Sequence, residues 1–304
     1  RQSMILLLLT ASLAHASAGA SKPHIIFILQ DDFGYHDSAL YGNPAEEKTT
    51  HNITKLARQG VILDRHYVHW HCSPTRRSFL TGRLPLHHGE FLSGVDTDDI
   101  DLRYTWISEK LLTAGYISHW YGKGHTGYRS MKHLPVARGF NGGSVLFLKG
   151  AGSYTKEPRW NGSQPLTGNH RYSTDLFGSL AVQAVEAHDP AAPLFIYLPF
   201  QAVHSPYDLP PTCSSSQCPS RIRCMIQDAD RWIGKLVATL EAKDMYKDTL
   251  IVYSSDNGGV SEGINYPLRG EKHTNYQGGM QVAAFVSGGF VPHSARGTRY
   301  SGNL

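Results

Sequence analysis

His24-Ile25-Ile26-Phe27-Ile28-Leu29-Gln30 is a continuous apolar run that stops abruptly at Asp31-Asp32-Phe33-Gly34. A strand with one wet face alternates apolar and polar residues. A run without that alternation suits a central parallel strand buried on both faces. Further strands read at Val61-Ile62-Leu63, Tyr116 to Tyr121, Leu194-Phe195-Ile196-Tyr197-Leu198 and the again apolar Leu250-Ile251-Val252-Tyr253-Ser254-Ser255. Between them lie helical stretches: Ile53 to Gln59 stopped at Gly60, Trp106 to Thr113 closed by Gly115, the amphipathic Ser173 to Ala187, and Gln227 to Ala242. Strands alternating with helices predict an α/β fold, a mostly parallel central sheet sandwiched by helices. Residues 141–170, rich in Gly, Asn, Ser and Pro, read as an irregular surface excursion.

The polar motifs follow the strand ends. Asp31-Asp32 closes the first run, Gly122-Lys123-Gly124-His125 follows Tyr121, Gln201-Ala202-Val203-His204-Ser205-Pro206 follows Leu198, and Asp256-Asn257-Gly258-Gly259 follows Ser255. Open α/β sheets place their ligands beyond the carboxyl ends of the strands, so this recurrence predicts one shared site. Asp31, Asp32, Asp256 and Asn257 offer hard oxygen ligands, which suit Ca²⁺ or Mg²⁺ better than zinc. Lys123, His125, His204 and Lys272 add two cations and two imidazoles.

The bulk numbers restrict the alternatives. With 304 residues, 40% hydrophobic and 18% charged, the chain has material for a full core. Its net charge of +4 is spread without a Lys/Arg block, which argues against nucleic acid as a partner. Met4 to about Ala20 reads as a secretory signal, with Ile5-Leu6-Leu7-Leu8-Leu9 as its apolar centre and small residues after it. Taking residues 1–20 as that signal leaves 21–304 as the folded unit, with no later segment able to span a bilayer. Secretion agrees with two glycosylation sequons, Asn52-Ile53-Thr54 and Asn161-Gly162-Ser163, although Asn52 also suits a helix cap. Beyond Cys72 the cysteines are Cys213, Cys218 and Cys224, enough for one disulfide and one remaining thiol.

Cys72 itself sits in His71-Cys72-Ser73-Pro74-Thr75-Arg76-Arg77-Ser78-Phe79-Leu80-Thr81-Gly82-Arg83. Pro74 suits the first turn of a helix and Gly82 its end. Cys72 and Arg76 then stand one turn apart on one face, at the positive end of the helix dipole, an arrangement that suits an anion. The bland alternative is an inert buried cysteine at a helix start. A zinc site of His66, His69, His71 and Cys72 has only loose spacing to support it.

This stretch resembles the sulfatase signature Cys-x-Pro-x-Arg-x-x-x-Leu-Thr-Gly at every defined position. Leu29 to Gly34, Gly122 to His125, Tyr172 to Phe177, Gln201 to Pro206, Ser255 to Gly259 and Pro267-Leu268-Arg269-Gly270-Glu271-Lys272 extend the likeness, which is to sulfatases of the arylsulfatase B (N-acetylgalactosamine-4-sulfatase) type. The resemblance implies an alkaline-phosphatase-like fold and hydrolysis of sulfate esters, while the signal-like segment points to the secretory pathway with an extracellular, lysosomal or vacuolar address. It implies that Cys72 is converted by a formylglycine-generating enzyme to formylglycine, whose hydrate is the nucleophile. Asp31, Asp32, Asp256, Asn257 and the modified Cys72 would hold calcium, with magnesium the lesser choice. Arg76 would steady the hydrate, and Lys123, His204 and Lys272 would grip the sulfate. His204 or Lys272 would help the alcohol leave, and His125 would take the proton that expels sulfate. The substrate would be a sulfated small molecule or glycan.

Two positions depart from the family pattern, Gly124 where tryptophan is usual and Gln277 where glutamate is usual. The resemblance also implies a smaller C-terminal domain with an antiparallel sheet, so residues 21–304 are expected to be a C-terminally truncated catalytic domain. Arg269 is expected to pair with a carboxylate. The rival functions are a phosphonate or phosphodiester hydrolase of the same superfamily, and a silent binder of sulfated glycans should Cys72 stay unmodified.

Overall fold

In the computed structural model, which describes residues 22–41, 43–88, 99–213 and 220–302, the run His24–Gln30 is strand β1 and lies near the middle of the sheet. The other strands are β2 (Val61–Leu63), β3 (Ile117–Lys123), β4 (Gly143–Phe147), β5 (Arg159–Asn161), β6 (Gln164–Leu166), β7 (Leu194–Pro199), β8 (Thr249–Ser255), β9 (Ala284–Ser287) and β10 (Thr298–Tyr300). They form one sheet in the order β10-β2-β9-β8-β1-β7-β3-β4-β5-β6. The centre, β8-β1-β7-β3-β4, is parallel throughout. Antiparallel pairs join β9 to both β8 and β2 on one side and β5 to both β4 and β6 on the other. The helices are α1 (His51–Arg58), α2 (Cys72–Thr81), α3 (Pro85–His88), α4 (Ile107–Thr113), α5 (Ser173–Ala187), α6 (Arg221–Ala242) and α7 (Gln277–Met280).

Strand periodicity explains the two layers of helices. On β1, Ile26 and Ile28 join one core, while Ile25, Phe27 and Leu29 face another. On β7, Leu194, Ile196 and Leu198 go one way, Phe195 and Tyr197 the other. The first core is roofed by Leu56 of α1, Phe177 of α5 and Ile226 and Ile233 of α6. The second is roofed by Leu80 of α2 and Leu111 of α4. Both faces are covered, which is why the central runs carry no polar alternation. Each buried Leu, Ile or Phe contributes roughly 1.5–3 kcal/mol to that sandwich.

Three expectations need correction. Residues 141–170 are not irregular throughout: β4, β5 and β6 lie there, with β4 completing the parallel run and the β5–β6 hairpin extending the sheet. Turn residues dominate that segment's composition and mask short strands whose pairing is set by the neighbouring chain. The helix expected from Gln227 starts at Arg221, capped by Ser220, whose hydroxyl accepts the Arg223 N–H. Asn52 does not cap α1. Thr50 holds that position, and Asn52 lies inside the helix with its amide bonded to Asp230 of α6 at 2.8 Å.

Cys213 and Cys224 form a disulfide. Cys218 and the signal-like segment 1–20 lie outside the described residues. Among the described residues, no helix is long and apolar enough to cross a membrane.

Candidate active site

The strands end together, and their loops carry the polar motifs to one place. Asp31 N–H donates to the Ala202 carbonyl and Val203 N–H to the Asp31 carbonyl, tying the β1 loop to the β7 loop. Asp256 N–H donates to the Gln30 carbonyl and Phe33 N–H to the Ser255 hydroxyl, tying β1 to β8. The fourth component is α2. His71 is its N-cap and Gly82 ends it at φ 65°, the left-handed turn that glycine enters without strain. Cys72, the first residue of α2, is 2% exposed.

Around Cys72 lie three buried carboxylates and three buried cations. The Cys72 thiol is 3.2 Å from Asp31 Oδ1. Asp31 Oδ2 receives Lys123 Nζ at 2.5 Å, Asp32 Oδ1 receives Lys272 Nζ at 2.6 Å, and Asp256 Oδ2 receives Arg76 Nη2 at 2.7 Å. Asn257 donates to Asp32 Oδ1 at 2.7 Å, and His204 Nε2 lies 3.7 Å from Asp32 Oδ2. The formal charges of the six ionic groups cancel, which is what makes their burial tolerable.

Their electrostatics follow from this packing. Burial and Asp256 push the Cys72 thiol up, but Lys123 and Lys272 prevail and bring it down to about 6. Burial would raise Asp32, yet Lys272, His204 and Lys123 hold it at about 2. For Asp31 burial wins and the carboxyl is raised, with Cys72 adding to the effect. His204 is lowered by burial and by Lys123, but Asp31, Cys72 and Asp32 outweigh them and raise it.

The donors gathered here could hold a metal ion. Asn257 Oδ1 is buried and has no hydrogen-bond partner, although it sits beside Asp32, a carboxylate that also faces the centre. Oxygens of Asp31 and Asp32, the Cys72 sulfur and a His204 nitrogen lie within 4.8 Å of one another. Among the described residues this is the single such group. The His66, His69, His71 and Cys72 zinc arrangement does not form: His69 bonds Ser78 at 3.0 Å, and the His71 ring faces His273.

His125 stands on the loop after β3, its ring packed over Gly150 and within electrostatic reach of His71. A Cβ at Gly124 would lie 2.9 Å from the Phe147 carbonyl, so the loop hugs β4 where the family has tryptophan. Asp32, His125 and His273 all have positive φ, at 57°, 58° and 70°, a conformation that non-glycine residues keep only where the surroundings impose it. Among the described residues Arg269 does not pair with a carboxylate as expected. Its guanidinium lies 4.0 Å over the Tyr276 ring. Gln277, in place of glutamate, donates to the Tyr67 hydroxyl at 3.2 Å.

Sequence reasoning missed the residues that hold these loops. The Tyr154 hydroxyl meets the His204 carbonyl at 2.8 Å and the Gln201 carbonyl at 3.0 Å. Tyr154 belongs to the stretch read as irregular, so nothing marked it. Asp37 Oδ2 accepts the N–H groups of Gly34 and Ile264, both at 3.1 Å, and so clips the Asp32 loop to the segment leading to Lys272. The signal available was a third aspartate in Asp31-Asp32-Phe33-Gly34-Tyr35-His36-Asp37, which reads as an ordinary turn.

Comparison with known proteins adds an independent line. The family model described as Sulfatase matches residues 23–301. Arylsulfatase J of Mus musculus is 33% identical over 297 residues, covering 89% of this chain and 48% of that protein. N-acetylgalactosamine-6-sulfatase of Homo sapiens is 28% identical over 324 residues, covering 91% and 60%. The crystal structure of Ps i-CgsB in complex with k-i-k-neocarrahexaose superposes with a TM-score of 0.82 at 28% identity, covering 93% of this chain and 69% of that one. The chain thus spans about half the length of the first of these relatives.

Proposed function

Since the chain belongs to the sulfatase family, we propose that the protein hydrolyses sulfate esters, with a sulfated sugar or polysaccharide as the substrate class. The observation that carries this reading is the seat of Cys72, at the start of α2, among Asp31, Asp32 and Asp256 and their partners Lys123, Lys272 and Arg76. These six charges cancel, so a bound divalent cation leaves the pocket with an excess of positive charge. Such a pocket favours an anionic ester and the further negative charge that develops as its S–O bond breaks. The sugar preference is supported by the relative that acts on N-acetylgalactosamine 6-sulfate by name and by the neighbour solved with a neocarrahexaose.

Asp31, Asp32, Asp256 and Asn257 would hold calcium, the oxygen-rich choice, which when bound polarises the ester oxygens as a Lewis acid. Cys72, converted to formylglycine by a formylglycine-generating enzyme, supplies the attacking oxygen. The remaining work falls to side chains. Arg76 keeps its charge at the nucleophile end through its pair with Asp256. Lys123 and Lys272 orient the sulfate oxygens. His204 has its Nδ1 on the Ser205 carbonyl at 2.6 Å, which leaves Nε2 aimed at Asp32 and the centre. From there it is placed to give the departing alcohol a proton. His125, near His71, would take the proton whose removal releases sulfate.

The converting enzyme would act in the secretory pathway, in keeping with the signal-like segment and an extracellular, lysosomal or vacuolar destination. Mass spectrometry of the peptide bearing position 72, from protein made in a host with the converting enzyme, tests the proposal. An aldehyde in place of the thiol, with aryl sulfate turnover lost in Cys72→Ala, is the expected pair of results. An intact thiol in protein that releases no sulfate would refute it.

A further inference from the structure

The loop that carries Lys272 also presents exposed side chains that no step above uses. Tyr266 is 68% exposed, and Ile264 and Tyr276 are exposed beside it. With Arg269 and Glu271 they line an open cleft of about 530 Å³. The cleft has a fixed floor. Asn265 accepts the Gly259 N–H at 2.8 Å and donates to the Gly259 carbonyl at 2.9 Å, and Gly278 N–H donates to the Arg269 carbonyl at 2.7 Å. Tyr266 stands edge-on to His36 at 5.3 Å, which links the cleft to the loop of Asp32. Arg269 and Lys272 are three residues apart, so their Cα atoms lie within about 11 Å, and Lys272 Nζ reaches Asp32 at 2.6 Å. Exposed apolar side chains grouped around one cleft mark an interaction surface.

We propose that this cleft is a subsite for the sugar next to the one whose ester is cleaved, and that Arg269 recognises a second sulfate on it. The inference rests on the sulfatase reading and narrows the substrate to a multiply sulfated oligosaccharide. Tyr266 offers a broad apolar face with a polar edge, which matches the mixed faces of a pyranose. The Arg269 guanidinium is planar and lies over the Tyr276 ring, which leaves its N–H edge to meet an oxyanion in a two-pronged pair. Glu271 repels a sulfate placed near it and accepts hydroxyl protons, so the two charges of the cleft dictate which ring position bears the anion.

Isothermal titration of the protein, in the Cys72→Ala background that prevents turnover, tests this with two galactan hexasaccharides of equal length, one multiply and one singly sulfated. The parent is expected to bind the multiply sulfated form about tenfold more tightly. Arg269→Gln should erase that ratio, Arg269→Lys should keep part of it, and Tyr266→Ala should weaken both ligands alike. A ratio unchanged in Arg269→Gln, or equal loss of both ligands in that variant, overturns the proposal. Sulfate release from an aryl sulfate by the unsubstituted protein reports separately on the hydrolase reading, since that substrate has no second sugar.

Discussion

Arg76 and Asp256, 180 residues apart in sequence, meet as a fully buried pair in which Nε and Nη2 both donate to Oδ2, at 2.9 and 2.7 Å. The pair joins the second turn of α2 to the residue just past β8, and so fixes Cys72 relative to the sheet. Arg76→Ala leaves the Asp256 carboxylate buried and uncompensated. We expect a loss of roughly 3–5 kcal/mol, read by chemical denaturation; a loss below about 1 kcal/mol would mean that the pair does not hold the two elements together.

Cys72 tells a different story, because its side chain is small and its role is chemical. Cys72→Ala is expected to keep a cooperative melting transition while sulfate release falls by more than about a thousandfold. Retained turnover would assign the nucleophile elsewhere.

Asp37 couples the Asp32 loop to the Lys272 segment, and burial pushes its carboxyl up to about 6 from an ordinary 3.8. The folded state therefore binds this proton more tightly than the unfolded state, and this contribution to stability falls as pH rises from about 4 to 6. The gap corresponds to roughly 3 kcal/mol at most. Asp37→Asn keeps an oxygen for the Gly34 and Ile264 N–H groups and abolishes the titration. It should match the parent near pH 4 and exceed it in stability near pH 7, by denaturation at each pH. Parallel pH profiles would rule the coupling out.

Metal should act on stability as well as on turnover. Calcium at about a hundred times its dissociation constant should stabilise the fold by roughly 2.7 kcal/mol, seen as a raised melting temperature that a chelator reverses. Asp32→Asn should remove most of that response. A melting temperature indifferent to calcium in the parent would contradict the oxygen-donor site.

The two sequons are expected to behave differently in a secretory host. Asn52 has its amide on Asp230 and packs against Gly234, whereas Asn161 is exposed at the β5–β6 hairpin. Glycopeptide mapping should find sugar at Asn161 and none at Asn52 in folded, secreted protein. Sugar on Asn52 would require α1 to leave α6.

The strands most legible in the sequence were those buried on both faces, because burial removes the alternation that water would impose. His24–Gln30 and Leu194–Pro199 are such cases. β5 and β6, three residues each, left no local signal, since their existence depends on β4 beside them. At the site, charged residues after strand ends were visible because the sheet itself gathers strand ends. Tyr154 and Asp37 were not, because each acts through backbone groups of distant loops that no motif records. Arg269 was assigned the wrong partner for a related reason: a cation's neighbour, carboxylate or ring, is decided by tertiary packing.

The most direct test of the central claim is the ratio of kcat/KM for an aryl sulfate to that for an aryl phosphate diester, with calcium present and position 72 converted. Both esters are singly charged, but the sulfate presents three non-bridging oxygens to the cations and the metal where the phosphate diester presents two and a second substituent, so the account predicts that the sulfate is turned over faster. Dominant phosphodiester hydrolysis, or turnover of neither substrate, would contradict the account.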